Sequence, residues 1–211
     1  MKVLLVNGSP HEKGCTDTAL TEIANTLREE GMDADIFWIG TDPLAGCVAC
    51  GSCGKTGQCR YRDRVNDFLA LAKDADGFVF GSPVHFAGAS GGITSFLDRA
   101  FYVVASSRQD TFYLKPGAAI VSARRGGTTA AFDQLNKYMT FAQMPVVSSQ
   151  YWNMVHGNTP EEVLEDLEGL QTMRTLGRNM AWLLHCKAAG RAAGVPMPKR
   201  EEARARTNFI R

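Results

Sequence analysis

The sequence lacks the features of several large protein classes. It has no run of about 18 apolar residues, the length that a membrane-spanning helix requires. With 21 Gly and 8 Pro in 211 residues, it has too few of either for collagen or a disordered chain. Residues 1–4 lead into a glycine loop too early for a secretory signal, and internal repeats are missing. We therefore expect a folded cytoplasmic protein that makes no membrane contact.

A strong charge of one sign is also missing, because the formal net charge is only +1. Basic residues are concentrated after residue 186, which leaves a mildly acidic main body. Nucleic-acid binding needs a basic face with groove-reading or stacking elements, and a short tail interrupted by Glu201 and Glu202 is weak support for one. The sequence predicts no nucleic-acid partner, one domain over residues 1–190, and a C-terminal arm over 191–211 suited to a subunit interface.

Apolar runs and amphipathic segments alternate along the chain. Short apolar runs predict strands at 2–7, 33–39, 77–81, 117–123 and 145–149. Apolar residues spaced three and four apart predict helices at 19–31, 61–75, 91–105, 128–143 and 167–189. Five strands separated by helices predict an α/β fold, a doubly wound parallel sheet with helices on both faces. Such sheets bind ligands beyond the carboxyl ends of their strands, here at residues 8–18, 82–90 and 123–128.

The first of these loops suits a single phosphate group. Hydroxyls at Ser9, Thr16 and Thr18, together with free amides at Gly14 and the helix start, can surround an anion. The loop lacks the Lys-Ser/Thr ending of a nucleoside-triphosphate loop, and the chain has no Gly-x-Gly-x-x-Gly motif. The alternative is an incidental polar loop before a helix that Thr16 caps.

The second and third loops suit a flat ring. Residues 81–88 combine Pro83, the ring of Phe86 and small residues, although Phe86 could instead cover the core. Residues 123–128 place Arg124 and Arg125 beside exposed glycine amides. An arginine there can stabilise negative charge on a reduced flavin, and the alternative is that both arginines are simply solvated.

Four of the six cysteines lie within thirteen residues, as Cys47-x2-Cys50-x2-Cys53-x5-Cys59. The short gaps and the surrounding glycines favour a [4Fe-4S] cluster, because zinc sites usually hold two Cys-x2-Cys pairs farther apart. Zinc and a metal-free thiol switch remain alternatives. Cys186 is interpreted as a core thiol, and His156 and His185 as structural residues.

These landmarks together resemble the flavodoxin-like NADPH-dependent FMN reductase family, iron–sulfur flavoprotein branch. The resemblance rests on Gly8-Ser9-Pro10 with Gly14 and Thr16, the compact cysteine motif, Ser82-Pro83-Val84 with Phe96-Leu97-Asp98-Arg99, and Gly126-Gly127. It implies strand order 2-1-3-4-5, bound FMN, and a homodimer or homotetramer in which the flavin of one subunit faces the cluster of another. The chain departs from the family pattern with His11, Cys15 and His85 in place of Arg, Asn and Tyr, and with Arg62-Asp63-Arg64 in place of an acidic pair.

The resemblance implies an FMN-dependent oxidoreductase that uses NAD(P)H or a redox protein such as ferredoxin, with a small-molecule acceptor as the other possible partner. Alternatives are an electron carrier without substrate turnover, and a flavoprotein with a zinc or thiol-switch motif. His85 is the candidate proton donor or stacking surface. The metal ligands would be Cys47, Cys50, Cys53 and Cys59, and the flavin contacts would be Ser9, His11, Gly14, Cys15, Thr16, Thr18, Pro83, Val84, His85, Phe86, Ala87, Ala123, Arg124, Gly126 and Gly127.

Overall fold

The computed structural model describes residues 1–198 and 207, and a parallel sheet forms its centre. Strands and helices alternate as predicted, with one short hairpin strand and two short helices in addition. The strands are β1 (Lys2–Asn7), β2 (Asp33–Trp38), β3 (Gly77–His85), β4 (Gly88–Ala89), β5 (Gly117–Ala123) and β6 (Met154–His156). The helices are α1 (Cys15–Glu29), α2 (Cys53–Thr56), α3 (Arg64–Ala72), α4 (Gly91–Ser107), α5 (Thr128–Phe141), α6 (Pro160–Glu165) and α7 (Leu167–Ala192).

Five of the strands lie in the order β2-β1-β3-β5-β6, and each neighbouring pair is parallel. The two-residue strand β4 pairs with the end of β3 in the antiparallel direction and lies off this path. When only these five strands are numbered along the chain, the order is 2-1-3-4-5. The flavodoxin-like topology is therefore confirmed.

The two faces of the sheet bury different sets of side chains. Along β1, Val3 and Leu5 pack toward α1 and α7, whereas Leu4 and Val6 pack toward α3, α4 and α5. This alternation follows from the two-residue repeat of a strand. The second face is rich in phenylalanine and centres on Phe68, which is completely buried and contacts the rings of Phe37, Phe78, Phe80, Phe96 and Phe112.

Two strand predictions were wrong in their bounds. The third strand continues from the predicted end at Gly81 to His85, because Ser82 and Pro83 still pair with β5 and because β4 turns back and pairs with the last two residues. Residues 145–149 do not form the fifth strand. Val146 makes only an isolated bridge with Gly117, and the chain then leaves the sheet edge. It returns at Asn153, whose side-chain amide donates to Ala119 O, and β6 follows directly.

The C-terminal arm is described only in part. Helix α7 ends at Ala192, three residues beyond the predicted end, and residues 195–198 and 207 carry no regular structure. The rest of the predicted arm, 199–206 and 208–211, lies outside the described residues, so the arm and the domain boundary at 190 stay predictions. Within the described ranges, no helix combines the length and apolar character needed to cross a bilayer.

Candidate functional site

Three loops meet at the carboxyl edge of the sheet, where sequence analysis places the binding site. We call residues 8–14, 85–88 and 124–127 the edge loops. Gly8 N–H donates to Gly81 O at 2.9 Å, and the Ser90 hydroxyl donates to Gly8 O at 3.1 Å. The hydroxyls of Thr16 and Ser122 lie 2.8 Å apart. These bonds hold the segments after β1, β3 and β5 together.

The first edge loop is folded by its own polar groups. The buried Asn7 side chain donates to Glu12 O and accepts from Ser9 N–H, and Ser9 Oγ accepts from His11 N–H at 3.0 Å. The N-cap of α1 is Gly14, and no side chain caps the helix. The alternative in which Thr16 caps α1 is therefore wrong. The first amides of α1 keep their capacity to bind an anion, which the helix dipole favours.

The predicted phosphate hydroxyls differ in their availability. Ser9 is almost fully buried, and its hydroxyl oxygen accepts from His11 N–H. Thr16 shares its hydroxyl with Ser122, and Thr18 donates to Gly14 O at 3.2 Å. Cys15 is half-buried beside Gly157 O, and burial raises the pKa of its thiol. The amides at the start of α1 are thus the freest donors of this loop.

The second edge loop is a tight hairpin. Its central residues, Phe86 and Ala87, have φ values of 49° and 61°, the left-handed region that L-residues enter at a cost of about 1–2 kcal/mol. A two-residue turn with both φ values positive matches the twist of the flanking strands. Phe86 is fully exposed, so the alternative in which it covers the core is wrong. His85 is exposed beside it, whereas Pro83 and Val84 are half-buried within β3.

The third edge loop touches the second through Gly127. This residue has φ of 99°, and a Cβ added to it would lie 2.6 Å from Ala87 Cα and 2.9 Å from a Val84 methyl carbon. Only glycine therefore permits the observed approach. Ala123 is buried at the end of β5, whereas Arg124 and Gly126 are exposed. The structure thus brings the predicted flavin contacts of all three loops to one edge of the sheet.

The cysteine loop, residues 46–59, lies beside α4. Cys47 and Cys50 are exposed, Cys59 is half-buried and Cys53 is buried at the start of α2. All four line one small cavity together with Tyr61, Arg99 and Tyr102. Among the described residues, no three or more His, Cys, Asp or Glu side chains are arranged closely enough to hold a metal ion. The donor set suits a thiolate-bound group, but its sulfurs must close together to ligate one.

The two halves of the cysteine loop differ in their anchoring. Around Cys59, Asn66 accepts from the Cys59 amide at 2.9 Å and donates to Cys59 O at 3.0 Å. Gln109 donates to Gly57 O at 3.0 Å. Near the other end, the Ser52 hydroxyl lies 3.4 Å from Cys50 Sγ, and its hydrogen bond is the main reason why the pKa of Cys50 is lowered. Cys50 is therefore an exposed thiol whose pKa is lowered by a neighbouring hydroxyl.

Comparison with known proteins assigns the family. The sequence profile of the NADPH-dependent FMN reductase family matches residues 1–159. The chain belongs to this family. Among its relatives, an iron–sulfur flavoprotein from Methanocaldococcus jannaschii is 30% identical over 190 residues, covering 86% of this chain and 96% of that one. Another from Archaeoglobus fulgidus is 30% identical over 190 residues, covering 85% and 95% respectively. The chain thus lies in the iron–sulfur flavoprotein branch.

A solved structure supports the fold of this NADPH-dependent FMN reductase family member independently. The flavodoxin-type, WrbA-like protein from Agrobacterium tumefaciens superimposes with a TM-score of 0.61 at 18% identity, covering 88% of this chain and 96% of that one. At this identity the likeness concerns the fold alone. It agrees with the strand order described above.

Sequence reasoning missed several residues that build the site. Arg99, which sequence analysis used only as a family landmark, is 1% exposed and donates to Cys59 Sγ. Buried hydroxyls at Ser82 and Ser90 join β3 to the start of α4, with Ser90 N–H donating to Ser82 Oγ at 3.0 Å. The signal for Arg99 was a charged residue inside the apolar stripe of α4. Cys186 is exposed, so its interpretation as a core thiol was wrong.

Proposed function

We propose that this chain is an FMN-dependent oxidoreductase that passes electrons between FMN and an acceptor, with a [4Fe-4S] cluster on its cysteine loop. The uncapped start of α1, held at the junction of three edge loops, is the observation that carries the flavin half of the proposal. A phosphate there would take hydrogen bonds from unpaired amides and gain from the helix dipole. Family membership supports the same cofactor.

The edge loops and the adjoining ends of α1, β3 and β5 would supply a distinct group for each part of FMN. Ser9, His11, Gly14, Cys15, Thr16 and Thr18 would surround the phosphate. Pro83, Val84, His85, Phe86 and Ala87 would border the ring, with Ala123, Arg124, Gly126 and Gly127 on its other side. When bound, FMN exchanges electrons in pairs or singly. Arg124 would stabilise the ring pole that becomes negative on reduction, and His85 would donate a proton or support a stacked substrate.

The cysteine loop would hold the second cofactor through Cys47, Cys50, Cys53 and Cys59. Cys53 and Cys59 lie on anchored backbone, and Cys47 and Cys50 lie on the exposed part of the loop. A bound [4Fe-4S] cluster supplies one-electron chemistry. The iron–sulfur flavoprotein names of the relatives support this group.

The electron partners are proposed by chemical class. NAD(P)H or a ferredoxin-type protein would deliver electrons, and a small molecule or a redox protein would accept them. We also propose cytoplasmic location and a homodimer or homotetramer with the 191–211 arm at its interface. Steady-state assays with NAD(P)H and quinone, nitro or azo acceptors separate a reductase from a carrier. A carrier would exchange electrons with a protein partner and show little turnover.

A second candidate for the cysteine loop is a thiol switch. The lowered pKa of exposed Cys50 favours it, because thiolates are the reactive form in disulfide exchange. An absorption spectrum with flavin, iron, sulfide and zinc quantification on anaerobically purified protein decides between the two. The proposal predicts a yellow-brown protein with one FMN and about four irons per chain.

Matched cysteine variants test the ligand assignment. Cys50→Ser should lower the iron content and leave FMN bound. Cys186→Ser, which changes an exposed thiol on α7, should leave both unchanged. Iron that is unaffected by Cys50→Ser would contradict the assignment, and a colourless wild-type protein at saturating FMN would contradict the flavin half.

A further inference from the structure

A buried arginine ties the cysteine loop to the core of the fold. The Arg99 side chain is 1% exposed, and its Nε and one terminal nitrogen each lie 3.2 Å from Cys59 Sγ. It also donates to Ala45 O at 3.4 Å and Tyr61 O at 3.5 Å. These contacts reach both ends of the cysteine loop. Arg99, together with Asn66, therefore holds the Cys59 sulfur in place.

The position of Arg99 is itself fixed by Asp63. Two parallel hydrogen bonds of 2.7 and 2.8 Å join the guanidinium to the carboxylate. Asp63 is held in turn because its carboxylate caps α3, accepting from Val65 N–H. Arginine stays protonated at all working pH values, so a permanent positive charge lies in contact with one sulfur of the loop.

Helix α4 connects this charge to the edge loops. Its N-cap, Ser90, bonds to Gly8 O, and Arg99 lies nine residues later on the same helix. At 1.5 Å per residue the two positions are about 14 Å apart along the axis. The guanidinium is thus carried by the element that also supports the proposed flavin site, and it does not depend on the exposed loop for its position.

We propose that Arg99 is a positioning residue for the iron–sulfur group, and that its charge beside Cys59 raises the reduction potential of that group. The inference rests on the proposed function. Reduction adds negative charge to a cluster, and a fixed cation next to a ligand sulfur stabilises the reduced form. Asp63 acts in the opposite direction, because it partly neutralises that cation.

The test measures the cluster potential in four variants of the anaerobically purified holoprotein. Iron and sulfide are quantified first, and EPR-monitored redox titration then gives the midpoint potentials of the cluster and of the flavin. Arg99→Gln should lower the cluster potential, and Arg99→Lys should restore part of that loss because the charge is kept but the fork of hydrogen bonds is not. Asp63→Asn should raise the potential while keeping a side chain able to cap α3.

Arg64→Gln is the matched control. Arg64 lies on the first turn of α3, donates to Trp38 O and stacks over the Phe37 ring, and within the described part of the chain it forms no hydrogen bond to a cysteine. Its replacement should leave the cluster potential unchanged, and the flavin potential should stay constant in all variants. If Arg99→Gln fails to fold, Arg99→Lys and Asp63→Asn still give the comparison.

The outcomes separate this inference from the proposed function. Opposite shifts in Arg99→Gln and Asp63→Asn support it, because a merely structural disturbance has no reason to reverse sign. The inference is overturned if the cluster potential is the same in the wild type, the Arg99 variants and Asp63→Asn. It is also overturned if Arg99→Gln and Asp63→Asn shift the potential in the same direction. In both cases the iron content still supports the cluster. A wild-type protein without iron overturns the cluster proposal, and this inference with it.

Discussion

The edge loops and the cysteine loop reach their arrangements in different ways. Backbone bonds, a capping serine and a glycine contact hold the edge loops together directly, as in Gly8 to Gly81 and Gly127 to Ala87. The cysteine loop is anchored at its ends by Arg99 and Asn66, while Cys47 and Cys50 remain exposed. A site built from backbone is in place before its ligand binds, whereas a site of exposed thiols is completed by its ligand.

The largest expected effect comes from separating two edge loops. Gly127→Val places a branched side chain against Ala87 Cα, at a residue with φ of 99°. We expect the affinity for FMN to fall at least about tenfold, since about 1.4 kcal/mol is enough for that change. Fluorescence titration of the apoprotein with FMN measures it.

Gly31→Val is the matched control for this change. Gly31 follows α1 with φ of 78°, and a Cβ there meets no atom within 4 Å. It carries a similar backbone penalty without a contact between loops. Equal FMN affinities in the two variants would show that the approach of Gly127 to Ala87 is irrelevant to binding.

Loss of the Ser90 hydroxyl should weaken the edge loops with little effect on the cysteine loop. In Ser90→Ala, Gly8 O loses a donor and α4 loses its capping acceptor for Ile93 N–H. We expect a loss of about 1 kcal/mol in the free energy of unfolding, equal to about 2–4 °C in Tm. Thermal unfolding measures it, and iron content should stay constant. A large loss of iron would contradict the distinction between the two regions.

The thiols of the two regions should differ in reactivity. Burial raises the pKa of Cys15, whereas the Ser52 hydrogen bond lowers that of Cys50. At a pH below the ordinary pKa of a thiol, lowering that pKa increases the thiolate fraction, and raising it decreases the thiolate fraction. In metal-free, reduced protein near pH 7, Cys50 should be alkylated at least roughly threefold faster than Cys15.

Peptide mass spectrometry after timed iodoacetamide treatment measures both rates. Ser52→Ala should slow the reaction of Cys50 and leave Cys15 unchanged. If Cys15 reacts faster, or if Ser52→Ala has no effect on Cys50, the assigned causes of the two shifts are wrong.

The smallest expected effect compares two strained alanines. Ala87 in the hairpin has φ of 61° and Ala49 in the cysteine loop has φ of 50°. Glycine removes the left-handed penalty, but its greater freedom in the unfolded chain offsets part of the gain. We expect Ala87→Gly to stabilise the protein by about 0.5 kcal/mol and Ala49→Gly by less, because the Ala49 loop is exposed. Denaturant unfolding compares them, and a larger gain at Ala49 would contradict the expected difference.

Periodic apolar patterns were sufficient to predict the layers of the fold, since Val3, Leu4, Leu5 and Val6 are buried on alternating faces. They could not place the last strand, because a Pro-containing apolar run at 145–149 has the same composition as a strand. Asn153 decides that edge through a side-chain bond to Ala119 O, a contact between distant positions that no local pattern contains.

The sequence predicted which segments form the candidate site better than it predicted the contacts of individual side chains. Glycine and proline residues indicated the positions of all three edge loops, and cysteine spacing indicated the position of the cysteine loop. The sequence predicts a loop at 82–90 and not a hairpin, because the turn at Phe86 and Ala87 has positive φ values at residues without the usual Asn-Gly signature. The role of Arg99 depends on the packing of α4 against residues about forty positions earlier, which lies beyond any sequence window.

The spacing between Ser90, the N-cap of α4, and Arg99 limits which insertions and deletions this chain can tolerate. Each residue turns a helix by about 100°, so one inserted or deleted residue between these positions would swing Arg99 away from the thiol while Ser90 kept its cap. Surface connections can change in length with little penalty. The nine-residue spacing from Ser90 to Arg99 cannot change in length in this way, because the helical rotation between the two positions sets the direction in which the guanidinium points.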